Sequence, residues 1–333
     1  MQREGYRQRT EEIERQTLSK RAQLVADSRG RDVSEPDDPI RTLFQQDRDR
    51  IIHSKPFRRL AHKTQVFLAP EGDHYRVRLT HTLEVSQVAR TIARALALNE
   101  DLVEAICLGH DLGHTPFGHL GEEMVAEFQP GFRHNLQSVR IVEVLEPMNL
   151  TKEVRDGIAN HTWSMAMPTT LEGQIARYAD RIAYINHDIE DAIRAGILAE
   201  SDLPEVTRSV LGVGKTRRIA TMVNDIVDAS YDQDGIRMTD EVMNAMGVTR
   251  DFLFERVYLG LVAASTREAV HRVVERLLEH FSKHGVPDDP SSPDQASKLS
   301  AVDYVSGMTD RFAIKTFEAV VGVPPPDLTA GLG

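Results

Sequence analysis

Three imidazoles and three carboxylates fall within fifteen residues of one stretch, GHDLGHTPFGHLGEE, from Gly109 to Glu123. Imidazole nitrogen and carboxylate oxygen are donors that divalent cations accept, and histidine has the side-chain pKa nearest neutrality. Such a cluster can hold a metal, move a proton, or do both. His110 and Asp111 are adjacent, about 100° apart on a regular helix, so they can straddle one ion, the more so if Gly109 and Gly113 let the turn deform. Left alone at the end of an apolar helix they would carry a desolvation cost that a cation offsets. His119 and Glu122 stand at i and i+3 just after Pro116, where a helix can start, and the carboxylate can orient the imidazole. Taken singly, each fits a hydrogen-bonded structural histidine, or a glutamate serving the dipole of a first helical turn. The concentration is what points to chemistry.

The elements that must position these groups are helical. In HTLEVSQVARTIARALAL, Val85, Val88, Ile92 and Leu96 form one buried stripe, and Asn99 restarts the chain as an N-cap for DLVEAICLGH. A long helix is legible in LEGQIARYADRIAYINHDIEDAIRAG, with Ile175, Ala179, Ile182, Ile189 and Ile193 as its stripe and Gly196 as its stop. Its other face carries Asp180, Tyr184 and Asp188 at i, i+4 and i+8, with Arg177 and Arg181 beside them. His81 opens one helix, His110-Asp111 ends another and Asp180 lies on a third, so four ligands from three helices would leave coordination positions for water or substrate. His161 and Trp163 can line a pocket or close a core helix. Further helices are expected over 215–229, 239–246, 249–260, 265–283 and 300–321. HGVPDDPSSPDQ (284–295) is expected to be a loop, and VPPPDL a tail. There is no internal repeat, and the expectation is one all-α domain over 1–333, with its core at about 72–195, a basic block at 41–67 and C-terminal helices over 200–325.

With 41% hydrophobic residues in 333, the chain can bury a core without disulfides, and its only cysteine, Cys107, excludes a cysteine-based zinc site. The N-terminus lacks the apolar stretch of a signal peptide and no segment approaches the roughly 20 apolar residues of a membrane span; a soluble, cytoplasmic protein is expected. The net charge of -11 disfavours generic duplex DNA binding. The charge is uneven. From Arg41 to Lys63 seven basic residues face two acids, while Asp101 to Glu127 holds six acids and no Lys or Arg. These runs are either solvated faces of opposite sign or an anion clamp opposite a cation site.

The chain resembles the HD-domain deoxynucleoside triphosphate triphosphohydrolases, the dGTPase-like family. The blocks that carry the resemblance are SRGR (28–31), RTLFQQDRDRIIHSKPFRRLAHKTQVF (41–67), GDHYRVRLTHTLEV (72–85), GHDLGHTPFGHLGEE (109–123), FRHNLQS (132–138), NHTWS (160–164), ARYADRIAYINHDIEDA (176–192) and DYVSGMTDRFA (303–313). The resemblance implies an HD-type helical bundle that cleaves a dNTP, dGTP among them, to deoxynucleoside and tripolyphosphate by attack of water at the α-phosphorus. It implies His81, His110, Asp111 and Asp180 as ligands of a divalent cation, Mn2+ or Mg2+, and His119 with Glu122 as the proton-transfer pair. His114 and His134 then stand beside the α-phosphate, Arg78, Arg181, Tyr184 and Asp188 contact phosphates or sugar, and Gln65 lies near the deoxyribose. Leu43 and Pro56 depart from the pattern and bear on fine substrate preference. The resemblance also implies a homo-oligomer, hexameric in form, and activation by a second dNTP. Some relatives bind single-stranded DNA, for which the acidic charge gives no independent support. Two other readings remain open: an HD-type phosphohydrolase acting on nucleoside monophosphates or on cyclic or alarmone nucleotides, and a nonenzymatic nucleotide-binding regulator.

Overall fold

The computed structural model describes residues 5–65, 76–259, 264–287 and 299–323. In chain order its helices are α1 (Tyr6–Thr17), α2 (Leu43–His53), α3 (Lys55–Arg59), α4 (Arg78–Ala95), α5 (Glu100–Gly109), α6 (Gly118–Phe128) and α7 (His134–Arg140). They continue with α8 (Lys152–Asn160), α9 (Leu171–Arg194), α10 (Lys215–Ser230), α11 (Asp240–Leu253), α12 (Ala264–His284), α13 (Ala301–Ser306) and α14 (Asp310–Val321). The fold is all-α, and the only β pairing among the described residues is the isolated bridge Thr64–Val77. No helix among them is long and apolar enough to cross a membrane. Most of the 284–295 stretch and of the VPPPDL tail lies outside the described residues.

The chain forms two compact units. The first takes Met1–Ser54, Thr82–His110 and Met148–Leu253; the second takes Lys55–His81, Asp111–Pro147 and Phe254–Gly333. In the first unit α5 is the central element, buried from Leu102 to Gly109 except at Glu104. It packs against α2, α8 and α9. Asn99 caps it as expected, its side chain accepting the Leu102 N–H at 3.2 Å. Gly109 is ordinary helix rather than a deformed turn; a Cβ there would stand 2.5 Å from Ile158 Cδ1, so the glycine lets α8 approach. α9 buries Ile175, Ala179, Ile182 and Ile189, as its periodicity requires.

The SRGR segment and the first part of the basic block, up to Arg50, help hold this unit together. Glu153 accepts from Ser28 Oγ and from the Arg29 N–H, both at 2.8 Å. Arg31 pairs with buried Asp47, which also accepts the Thr151 N–H at 2.8 Å. Arg48 meets Asp101 at 3.3 Å and Glu104 at 3.2 Å, and Arg41 meets Asp38 and Asp49. At Arg48 the two charge runs meet as ion pairs and not as an anion clamp.

The second unit is built on α12, which packs against α6, α13 and α14. Phe117, Met124 and Val125 join Val270, Val274, Leu277, Val305 and Phe317 in its apolar core. Two expectations differ here. The 300–321 segment is two helices, because Ser300 and Thr309 each cap a new start and the chain turns at Gly307. In the first unit, the expected break before residue 249 is absent: α11 runs through Gly247, since buried Val242, Ala245, Met246, Thr249 and Leu253 outweigh the roughly 1 kcal/mol that glycine costs a helix.

Candidate active site

The boundary between the units falls after His81 and again between His110 and Asp111. In the first unit, His110 follows the last turn of α5 in helical geometry and is 2% exposed. Its Nδ1 lies 2.6 Å from the Cys107 carbonyl, so Nδ1 is the donor there and Nε2 is the ring nitrogen turned toward Asp180. Asp180 Oδ1 lies 3.7 Å from that Nε2. This is too long for a hydrogen bond, yet within the span of two ligand bonds of about 2.0–2.2 Å to one ion. Imidazole nitrogen and carboxylate oxygen facing one space fit a divalent cation. His161, buried at the end of α8, stands edge-on to His110 with centroids 4.9 Å apart, and its own Nδ1 is 2.8 Å from the Ile158 carbonyl. It thus belongs beside His110, which sequence reading left open.

Arg181, Tyr184 and Asp188 follow Asp180 along α9. Burial, and then the nearby Asp188 carboxylate, push the Tyr184 phenol well above its usual pKa. The Arg181 guanidinium lies over the Trp163 ring, 4.7 Å from its centroid, with Arg177 also against that ring at 5.3 Å. Arg177 donates to the carbonyls of Trp163, Met165 and Ala166, fixing the loop that presents the indole. The sequence named Trp163 but gave no sign that it supports Arg181: residues eighteen apart meet only through the turn before α9.

In the second unit, His81 is buried in the first turn of α4, whose start is pinned by the Arg78 N–H donating to the Lys63 carbonyl at 3.1 Å. Arg78 and Asp111 are both buried, and the guanidinium donates to Asp111 Oδ2 at 2.8 Å. Gln65 is buried, and its Oε1 has no partner among the described residues. An orphaned amide oxygen is costly; it is the acceptor a ligand hydroxyl would satisfy.

Glu122 gathers the remaining histidines. Its Oε1 accepts the His134 backbone N–H and lies against His134 Nδ1, each at 2.8 Å. Its Oε2 is 3.7 Å from His114 Nε2 and 3.9 Å from His119 Nδ1. His114 stacks on His134 with centroids 4.8 Å apart. The expected His119–Glu122 neighbours are therefore on one side of a cluster whose hydrogen bond goes to His134. Close approach of α7 depends on Gly113: a Cβ there would lie 2.2 Å from the Ser138 nitrogen and 2.5 Å from the His134 carbonyl oxygen.

Charge separates the three rings. Burial disfavours a charged His134, but Glu122 more than compensates and holds its pKa above the ordinary value. Burial likewise works to raise Glu122, and the His134, His114 and His119 rings overcome it and keep the carboxyl well below its usual range. Burial and then the Arg78 cation drive His114 well down. The same causes lower His119 to about 4, although its side chain is 51% exposed and water reaching the ring limits the depth of that shift. The carboxylate thus favours the protonated form of His134, while burial and Arg78 favour the neutral forms of His114 and His119.

Residues 78–185 match the HD domain and residues 236–319 the phosphohydrolase-associated domain. The chain is 51% identical over 330 residues to a deoxyguanosinetriphosphate triphosphohydrolase-like protein of Caldanaerobacter subterraneus subsp. tengcongensis, covering 96% of each. It is 46% identical over 331 residues to such a protein of Clostridium perfringens, covering 94% of this chain and 97% of the relative. Among solved structures, a phosphohydrolase from Bacteroides thetaiotaomicron shares the fold, with a TM-score of 0.54 and 16% identity across 85% of this chain and 70% of that one.

Proposed function

Because the chain belongs to the deoxyguanosinetriphosphate triphosphohydrolase-like proteins of the HD class, we propose that it hydrolyses deoxynucleoside triphosphates, dGTP among them, to deoxynucleoside and tripolyphosphate. The observation that carries this reading is the gathering of His114, His119 and His134 on the single carboxylate of Glu122. Phosphate-ester hydrolysis needs charge neutralised on the phosphoryl oxygens and a proton for the departing alkoxide. An imidazole whose protonated form is favoured by Glu122, beside two whose neutral forms are favoured, supplies both kinds of group.

The metal ligands in this proposal are His81, His110, Asp111 and Asp180, supported by the approach of His110 Nε2 to Asp180. When bound, Mn2+ or Mg2+ would polarise the α-phosphoryl group and lower the pKa of a water. The chain's own groups do the rest. His134, whose protonated form Glu122 favours, offers an N–H to a phosphate oxygen, and His114 stands stacked against it. His119 is the ring open to solvent and substrate. A polyphosphate anion near Arg78 cancels the charge that lowers His119 and raises its pKa toward protonation, readying it to protonate the leaving 5'-oxygen, while Glu122 holds the orientation. Arg181, backed by Trp163, suits the outer phosphates, Tyr184 and Asp188 the sugar edge, and Gln65 Oε1 the deoxyribose hydroxyl. A second dNTP as activator and a homo-oligomeric assembly belong to the same proposal.

The test is incubation with each dNTP and Mn2+ or Mg2+ in ¹⁸O-labelled water, with chromatography and mass spectrometry of all products. Attack at the α-phosphorus places the label in tripolyphosphate and none in the nucleoside. Release of orthophosphate or pyrophosphate in the first turnover would favour a different phosphohydrolase.

A further inference from the structure

The DYVSGMTDRFA block has no part in the chemistry above, and neither does the Lys63-Thr64 pair of the basic block. In the second unit they converge on one turn. Asp310, the first residue of α14, accepts the Thr64 backbone N–H at 2.9 Å and the Thr64 hydroxyl through Oδ2. Through Oδ1 it accepts the Phe117 N–H at 2.9 Å. Lys63, 1% exposed, donates from Nζ to the His114 carbonyl and, at 2.9 Å, to the Ser306 carbonyl. The turn from Asp111 to Phe117 is thus gripped at its middle and at its end. Within the turn itself the His114 N–H donates to the Asp111 carbonyl at 3.0 Å and the Thr115 hydroxyl to the Gly118 carbonyl at 3.3 Å, and neither bond holds Phe117 in place. Phe117 sits at φ 62, a left-handed conformation that a residue with a bulky side chain adopts only when its surroundings impose it. No side-chain cap of its own closes the start of α6. The Phe117 ring is 2% exposed, packed into the core that α12, α13 and α14 build.

We propose that Lys63 and Asp310 are positioning residues for His114: the 306–310 segment, through the Lys63 amine and the Asp310 carboxyl, sets the turn on which His114 is carried and from which His119 and Glu122 follow. The C-terminal helices thereby govern the rate of the chemical step and not the affinity for nucleotide or metal. A displacement of catalytic groups by about 1 Å is enough to cost on the order of 10²-fold in rate.

The inference rests on the proposed hydrolysis for its kinetic readout, so the test carries a second readout that does not. In Asp310→Asn, one of two acceptor oxygens becomes an N–H donor facing another donor, at Phe117 or at Thr64. We expect kcat for the preferred dNTP to fall about 10- to 100-fold. KM and bound metal per chain should stay within about twofold, and hydrogen exchange of the 111–118 backbone should speed up about tenfold or more as the turn opens. Lys63→Met should act in the same sense. Thr64→Val, which removes one hydroxyl at nearly constant volume, should lower kcat about three- to tenfold and tests the idea if the other variants fail to fold. Unchanged exchange in 111–118, a change confined to KM, or faster exchange with wild-type kcat would each overturn the proposal. If the wild-type protein turns over none of the four dNTPs, the functional reading falls, and exchange alone decides whether the grip exists.

Discussion

Replacing Glu122 by Gln removes one negative charge from a group that faces three imidazoles. The carboxylate makes its closest contacts to His134, through the backbone N–H and Nδ1, each at 2.8 Å. Hydrogen bonds to charged groups contribute about 1.5–3 kcal/mol, and at 19% and 15% side-chain exposure neither partner is strongly screened. His134 has its folded pKa raised, so its share of that stability is complete below the unfolded histidine value, about 6.5, and is lost as pH rises through the folded value. Glu122 has its folded pKa depressed; its share is present above the unfolded glutamate value, about 4.3, and is lost as pH falls through the folded one. The pair therefore contributes most between about pH 4.5 and 6.5 and fades on the alkaline side. At pH 5.5, Glu122→Gln should cost about 1.5–3 kcal/mol, which for a chain of this size lowers Tm by roughly 2–4 °C; near pH 9 the difference should shrink. Turnover at neutral pH should fall by about 10² to 10⁴, because Glu122 would no longer orient His119 or favour the protonated form of His134. Thermal unfolding at the two pH values, with initial rates on the preferred dNTP, measures both. Equal destabilisation at pH 5.5 and 9 with wild-type turnover would refute the charge assignment.

His110→Ala and Asp180→Ala should each abolish turnover and metal retention together, read by metal analysis of the purified variants alongside rates; full metal content with wild-type rate would remove them from the coordination set. Trp163→Ala deprives Arg181 of the ring it lies over, and since cation–π contacts are worth about 0.5–2 kcal/mol, KM should rise roughly 2- to 30-fold with kcat little changed, whereas Trp163→Phe should lose less. Gly113→Ala drives a methyl into the backbone at Ser138, so denaturant unfolding should show a loss of about 3 kcal/mol or more, with His134 displaced and turnover lost.

Periodicity and capping made the helices legible: the Asn99 cap and the α9 stripe follow from local rules that the packing then obeys. The same rules missed where two local signals compete. At Gly247 a weak helix former sits inside a strong buried stripe, and burial wins. Around Gly307 the apolar spacing continues while Thr309 offers a new cap, and the cap wins. In the site, the residue types were readable from the motif and their pairings were not. His119 is three residues from Glu122, yet the carboxylate bonds His134, twelve residues on, because the turn between α6 and α7 and the bare backbone of Gly113 bring that ring closer. Lys63 and Asp310 lie far apart in sequence, and only the path of the C-terminal helices reveals what they hold.

The interleaving of the two units has a consequence for synthesis. Translation delivers residues at about 5–20 per second, so after α11 emerges, the stretch through α12 to α14 takes roughly 3 to 14 seconds more. For that interval the first unit has all its segments, while α6 and α7 of the second have none of the helices that cover them. Phe117, Met124, Val125 and Phe132 belong to a core whose other half is still being made. A nascent chain paused there presents an apolar surface that a holdase would bind, and a stop codon after α11 would yield not a smaller enzyme but a half-built one that aggregates through that surface.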